Sequence, residues 1–192
     1  MAFRHVAAVA VATALAGIAV QADTRAIDVE RSTLTVSVYK SGLFSALADN
    51  HVIRAPIANG HVTDDGKLGV EVTVHSSSLN VLDPSLAAEK RAEVAVRMHG
   101  QQVLDSAKYP EILFTSTDVM PDGADRWKMT GVLTLHGVSR SVTASVLLQA
   151  GHYRGTLSIR QRDYGIQPIS IAGGTVKVKD ELRIDFDIVT LR

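Results

Sequence analysis

The sequence predicts an all-β protein: one antiparallel sheet, curled into a barrel or folded into a sandwich, with a short helical insertion. Two observations carry this. Apolar and polar residues alternate with period two in one run after another from Ser32 to the C-terminus, the pattern of strands with one dry and one wet face. A single segment, Asp83 to Gly100, breaks the rhythm and is rich in helix formers. The chain has no cysteine, so stability must come from a core, and disulfide chemistry and thiolate metal sites are excluded.

"STLTVSVYK" sets Leu34, Val36 and Val38 on one face against Thr33, Thr35, Ser37 and Tyr39 on the other. "VEVTVH" does the same with Val70, Val72 and Val74, and "EILFTS" with Ile112 and Phe114. "GVLTLHG" offers Leu133 and Leu135, and Gly137 suits a tight hairpin turn into "SVTASVLLQ", with Val142, Ala144, Val146 and Leu148. "TLSIR" contributes Leu157 and Ile159. The closing run "ELRIDFDIV" alternates Leu182, Ile184, Phe186 and Ile188 with Arg183, Asp185 and Asp187, which read as a solvent-facing row. Gly173-Gly174 reads as a turn between strands. The helical segment begins with Asp83 as expected N-cap and Pro84 at the first helical position, and ends at Gly100. Glu93 and Arg97, four apart, would pair on its wet face, while Leu86, Val94 and Met98 are its apolar contribution.

The first twenty-two residues, "MAFRHVAAVAVATALAGIAVQA", place Arg4 and His5 ahead of an apolar run and small residues around Gln21-Ala22. This predicts a secretory signal peptide over 1–22, cleaved near Ala22, and a single domain over 23–192 in the periplasm or outside the cell. A retained anchor fits less well, because the run is short for a span of roughly 20 apolar residues. Lys plus Arg number 20 and Asp plus Glu 20 in the whole chain, so losing Arg4 leaves 19 against 20. That balance gives no reason to expect nucleic acid or an anionic surface as partner.

Several stretches together resemble the YceI-like family of exported, lipocalin-like, polyisoprenoid-binding proteins. They are "KYPEILFTS" (Lys108 to Ser116), "GVLTLHGVSRSV" (Gly131 to Val142), "RQRDYGI" (Arg160 to Ile166) and "GGTVKVKDELRIDFDI" (Gly173 to Ile188). Around "GLFSALADNHVI" the chain departs from the commoner pattern, with Leu43-Phe44 and an Asn50-His51 pair. The resemblance implies an extended eight-stranded antiparallel barrel with a helix insertion, enclosing an apolar cavity for an isoprenoid tail or another long lipid.

On that reading the lipid-binding wall is Leu34, Val36, Phe114, Leu133, Leu135, Leu157, Ile159, Ile184 and Phe186, with Phe44 and Trp127 added. An eight-stranded barrel is at the size where side chains fill it or leave room for one ligand, so the same residues could instead form a filled core. His51, Arg160, Arg162, Asp163 and Tyr164 are the candidates for the mouth or a ligand head group. Trp127, Phe44 and Tyr164 suit a rim, where an aromatic is dry at one end and wet at the other. Alternation puts Arg160 and Arg162 on the outer face, and the plainer role for "RQRDYGI" is an Arg160–Asp163 or Arg162–Asp163 pair pinning a strand end.

The other histidines, His61, His75, His99, His136 and His152, are scattered without zinc-like spacing, so no metal site is assigned. No Gly-x-Ser-x-Gly, His-Glu-x-x-His or phosphate-loop motif occurs, and no catalytic residue is assigned. The expected function is lipid binding: an exported protein that sequesters or carries an isoprenoid chain, a quinone or prenyl phosphate, with no cofactor required. Transient contact with a membrane or membrane protein, as monomer or homodimer, would accompany it. The competing readings are an exported enzyme acting on a lipid-like or small apolar substrate, with His51 in its site, and a filled barrel serving as a protein-interaction module.

Overall fold

A computed structural model describes residues 23–41, 50–64, 68–171 and 176–191. The segment 1–22, Phe44 and the Gly173-Gly174 turn lie outside the described residues. Among the described residues twelve strands join one antiparallel sheet. They are β1 (Asp23–Ala26), β2 (Thr33–Ser41), β3 (His51–Arg54), β4 (Ile57–Asp64), β5 (Leu68–His75) and β6 (Asn80–Val81), followed by helix α1 (Ala88–His99). Then come β7 (Glu111–Pro121), β8 (Arg126–Leu135), β9 (Val138–Gln149), β10 (His152–Arg160), β11 (Ser170–Ile171) and β12 (Val176–Val189).

The neighbours run β1-β4-β5-β7-β8-β9-β10-β12-β2-β3-β6, with β11 on β12. The ends of this path do not stay apart. Just after β1, Ile27 bridges Thr190 just after β12, and Ile27 N–H donates to Gly60 O at 2.9 Å. Asp28 N–H reaches Val189 O, and Leu191 N–H reaches Ala26 O, both at 2.8 Å. These bonds join β4, through β1, to the end of β12 and close a ring of β1, β4, β5, β7, β8, β9, β10 and β12. The eight-stranded barrel is thus recognisable, and the expected strand count is corrected to twelve. The additions are β2, which runs beside β12 from Thr33 to Ser41 and lines the cavity, β3 and β6, which follow it in the sheet, and the two-residue β11.

The period-two pattern explains which face is dry. In β8, Met129, Gly131, Leu133 and Leu135 are buried while the intervening residues are half-exposed. The β8–β9 hairpin turns through His136 (φ 52°) and Gly137 (φ 73°), two left-handed residues in the two-residue loop that matches strand twist. Along β12 the outward residues pair with one another and with β10. Arg183 binds Asp185 at 2.8 Å, and Asp187 accepts from Arg154 at 2.7 Å and lies 2.6 Å from His152 Nδ1. That is the solvent-facing row expected from the sequence.

Two glycines set how closely the wall can pack. A side-chain carbon on Gly131 would meet the Phe114 ring at 2.5 Å, and one on Gly155 would strike the Phe186 ring on the neighbouring strand. Each ring therefore covers a glycine on the neighbouring strand.

The helix starts later than the sequence suggested. Asp83 does not cap it: its carboxylate is taken by β3, where Val52 N–H donates to it at 2.9 Å and His51 Nδ1 lies 2.5 Å away. Residues 84–86 consequently form a turn, and α1 begins at Ala88 after Ala87. Glu93 pairs with Lys90, at 2.9 Å, in place of the expected Arg97. No residue of α1 is fully buried, so the helix lies on the barrel and is not part of its core.

Gly131→Ala should displace the Phe114 ring and, because the added carbon also meets the Thr115 backbone oxygen at 2.7 Å, strain the β7–β8 pairing, lowering stability by about 1–3 kcal/mol or more. Urea unfolding monitored by circular dichroism reads this as a lower midpoint at unchanged slope.

Candidate functional site

The inward faces of the strands do not meet across the ring. They enclose a cavity of about 540 Å³ whose wall is overwhelmingly hydrocarbon. Leu34, Val36, Phe114, Trp127, Leu133, Leu135, Leu157, Ile159, Ile184 and Phe186, all singled out from the sequence, line it. So do Val70, Val72 and Val74 of β5, Val142, Ala144 and Val146 of β9, and Leu182 and Ile188 of β12. The volume falls within the roughly 300–1,000 Å³ typical of small-molecule sites.

Strand register orders the cavity along its axis. Phe186 of β12 lies opposite Leu34 and Gly155, Gly155 opposite Val146, and Val146 opposite Trp127. Together with Met129 and Tyr153 these residues form one end, where the Trp127 and Tyr153 rings are tilted 52° at 6.4 Å. Six residues farther along β2, roughly 20 Å at about 3.3 Å per residue, Lys40 lies opposite Val178, and Val38 opposite His51. That is the other end.

The two ends differ in chemistry. All the formally charged lining side chains, Lys40, Lys90, Glu93, Arg97 and Lys177, belong to the second end, as do His51 and Gln161. Helix α1 lies there: Lys90, Glu93, Val94, Arg97 and Met98, with Leu86 just before the helix, form one stripe at helical spacing toward the cavity. Lys40 and Gln161 were missed by sequence reasoning although the signal was present. The inward series 34, 36, 38 continues to 40, and 157, 159 continues to 161. Gln161 is buried, and its side-chain amide donates to Lys179 O at 2.8 Å, tying the end of β10 to β12.

His51 lies at the charged end, held by Asp83, which is itself only 7% exposed. This contact joins β3 to the segment that leads into α1. Lys40 N–H donates to the Asn50 side chain at 3.0 Å, so the Asn50-His51 pair fixes the edge beside the cavity's charged end. Four of the other histidines each have a local partner: His61 faces Glu71, His99 faces Leu79 O, His136 faces Tyr164 O, and His152 faces Asp187. Among the described residues no three metal-ligating side chains converge.

Other residues of "RQRDYGI" are not where a mouth needs them. Gln161 to Tyr164 form a short 3-10 turn closed by Gly165 at φ 74°. Tyr164 is 1% exposed and packs in the core with Leu135, Ile159 and Ile166, so it is not a rim residue. Burial pushes its phenol above the usual value near 10, Asp163 adding to the rise and Arg140 opposing it. Neither Arg160 nor Arg162 forms an ion pair with Asp163; the Arg162 backbone N–H is instead held by Asp180 at 3.0 Å. Arg160, Arg162 and Asp163 are exposed and lie outside the cavity lining, Arg162 bordering a shallow polar recess with Lys177, Lys179 and Asp180. Trp127 lines the cavity at the end opposite His51, away from the charged groups.

The YceI-like domain matches residues 19–190. The chain belongs to the YceI-like family. Protein YceI of Escherichia coli O157:H7 is 37% identical over 79 residues, 41% of this chain and 37% of that protein. A UPF0312 protein of Pseudomonas savastanoi pv. phaseolicola is 33% identical over 103 residues, 48% of this chain and 54% of that one. The matched stretches thus span about a third to a half of these relatives' own lengths. In fold, the chain is similar to BcnA of Burkholderia cenocepacia, with TM-score 0.64 and 18% identity over 84% of this chain and 98% of that one. A polyisoprenoid binding domain from Saccharophagus degradans gives TM-score 0.56 and 14% identity over 88% of this YceI-like chain and 97% of that one.

Two outcomes follow from the site's framework. Asp83→Ala should strip the partner from both His51 and the Val52 N–H, lowering stability by about 1–3 kcal/mol and speeding hydrogen exchange at the Val52 amide. Tyr164 holds its phenolic proton more tightly folded than unfolded, so its contribution to stability falls as the pH rises past about 10. Tyr164→Phe should flatten that alkaline loss in a series of urea titrations.

Proposed function

We propose that this YceI-like protein is an exported carrier that sequesters the hydrocarbon tail of an isoprenoid, a quinone or prenyl phosphate, or of a comparable long amphiphile. The observation that carries the reading is the polarity of the cavity: a hydrocarbon tube of about 540 Å³ with its charged lining groups gathered at one end. An amphiphile has the same distribution. The polyisoprenoid binding domain of Saccharophagus degradans, similar in fold, supports the same ligand class.

The mechanism is burial. Water leaves both the tail and the barrel wall, a gain of about 0.8 kcal/mol per buried methylene, or roughly 10 kcal/mol gross for a dozen. Loss of overall motion and ordering of the tail take back several kcal/mol or more, which places net affinity in the micromolar to nanomolar range. The tail points toward Trp127, and the head stays near His51 and α1.

Organic extraction of the natively purified protein, followed by mass spectrometry, should yield a stoichiometric isoprenoid lipid. Val36→Trp, which fills the tube without adding charge, should reduce that loading while circular dichroism stays unchanged; Ile159→Asp should abolish it. An empty extract that stays empty after incubation with prenyl lipids and quinones would overturn the proposal.

A further inference from the structure

We infer that Trp127 and Tyr153 form a stop that limits the tail this cavity accepts to about three to four isoprene units, a farnesyl or geranylgeranyl chain. The inference rests on the carrier reading and adds to it the length of the tail.

The first support is the change in the lining along the tube. From Val36 and Val38 of β2 across to Leu157 and Ile159 of β10 the wall is aliphatic. At the end away from His51 it turns to rings: Phe186 lies opposite Leu34 and Gly155, and Trp127 opposite Val146. Tyr153 shares the inner face of β10 with Gly155, and its ring stands 6.4 Å from the Trp127 ring, tilted 52°. A tail sliding inward therefore meets two neighbouring rings, carried by the strands on either side of β9.

The second support is what backs the rings. Trp127 and Tyr153 pack against the buried Met129, Ala144 and Val146. Tyr153 and Phe186 also pack against Ile27, Ile57, Val62 and Ile188, the buried group beside the bridge from Ile27 to Thr190 that closes the barrel. Each of these backing residues is 9% exposed or less. Rings seated on close-packed neighbours move aside only by opening voids, so they act as a fixed obstacle.

The third support is the span in front of the rings. From Leu34, paired with Phe186, to Lys40 at the charged end is about 20 Å along β2. Strands of a barrel tilt by about 40°, so the same span is roughly 15 Å along the axis. An extended carbon chain advances about 1.2 Å per bond, hence about 5 Å for the four chain bonds of an isoprene unit. About three to four units therefore fill the tube with the head at the charged end. Further units would stand outside in water, and a ligand drawn from a lipid phase loses affinity with every methylene so exposed.

A competition between tails tests this. The full chain, stripped of lipid, is incubated with detergent micelles holding equal amounts of geraniol, farnesol, geranylgeraniol, geranylfarnesol and solanesol, recovered by gel filtration and extracted for mass spectrometry. These alcohols share a head and a repeating unit and differ in length. Loading of solanesol should be about tenfold or more below that of geranylgeraniol. Trp127→Ala should raise the ratio of geranylfarnesol to geranylgeraniol by about fivefold or more. Val36→Ala, which widens the tube without altering its end, should leave that ratio unchanged. If Trp127→Ala does not fold, Trp127→Leu and Tyr153→Ala decide. Solanesol loaded as well as geranylgeraniol by the unaltered chain, or a ratio that the variants at Trp127 and Tyr153 leave in place, overturns the length inference while the carrier reading stands. No loading of any of these alcohols overturns the carrier reading and this inference with it.

Discussion

The wall side chains of this barrel are too short to meet across it, and the rest of the molecule depends on that constraint. A ring of eight strands is the size at which an interior can either be filled or left open. Here the inner faces are built mainly of valine, leucine, isoleucine and alanine, and two of the larger residues, Phe114 and Phe186, lie against Gly131 and Gly155. An interior lined this way stays open as a tube with dry walls. Its stability then rests on the parts around the tube: the closure at Ile27 and Thr190, the outward ion pairs of β12, and the packed cluster around Tyr164.

The same constraint divides the cavity lengthwise. One end is lined by side chains that pack on one another, including Trp127, Tyr153 and Met129. The other end carries the charged lining groups. Helix α1 is laid beside it with no residue fully buried, and its approach is fixed through Asp83, whose carboxylate is committed to β3. Using Asp83 to anchor the entry costs the helix its N-cap and shortens it. The local rule was overridden by a partner thirty-one residues away.

That trade shows what was legible in the sequence. Period two identified the dry faces, and ten of the eleven wall residues named from it and from family resemblance line the cavity, the remaining one, Phe44, lying outside the described residues. Alternation is a local property that a strand cannot escape, so it survives tertiary context. The helix start did not survive, because Asp83 has two uses and only the fold decides between them. Tyr164 was assigned to a rim because an aromatic beside charges looks amphipathic; the 3-10 turn closed by Gly165 swings it into the core instead. Lys40 and Gln161 were overlooked for the opposite reason: alternation was followed only while the residues stayed apolar. The face of a strand is set by parity and not by polarity, and at the end of an open tube the two part company.

This division also bears on how a carrier of the proposed kind can select. Burial of hydrocarbon is nearly indifferent to what the hydrocarbon is, since each methylene contributes about the same 0.8 kcal/mol whether it belongs to a prenyl or an acyl chain. A smooth apolar wall with few polar atoms therefore sets a minimum of tail and a maximum of bulk, and little else. Discrimination between amphiphiles of similar length has to come from groups whose interaction depends on geometry and charge, and in this molecule those stand at one end, on β2, β12 and α1. Two of these elements are strands of the sheet, while the third rests on its surface. A ligand gripped by all three would hold the helix down as it bound, and its departure would release the same contacts. Retention and release would then be governed at the charged end, with the tube supplying affinity and the polar groups deciding for which molecule it is used.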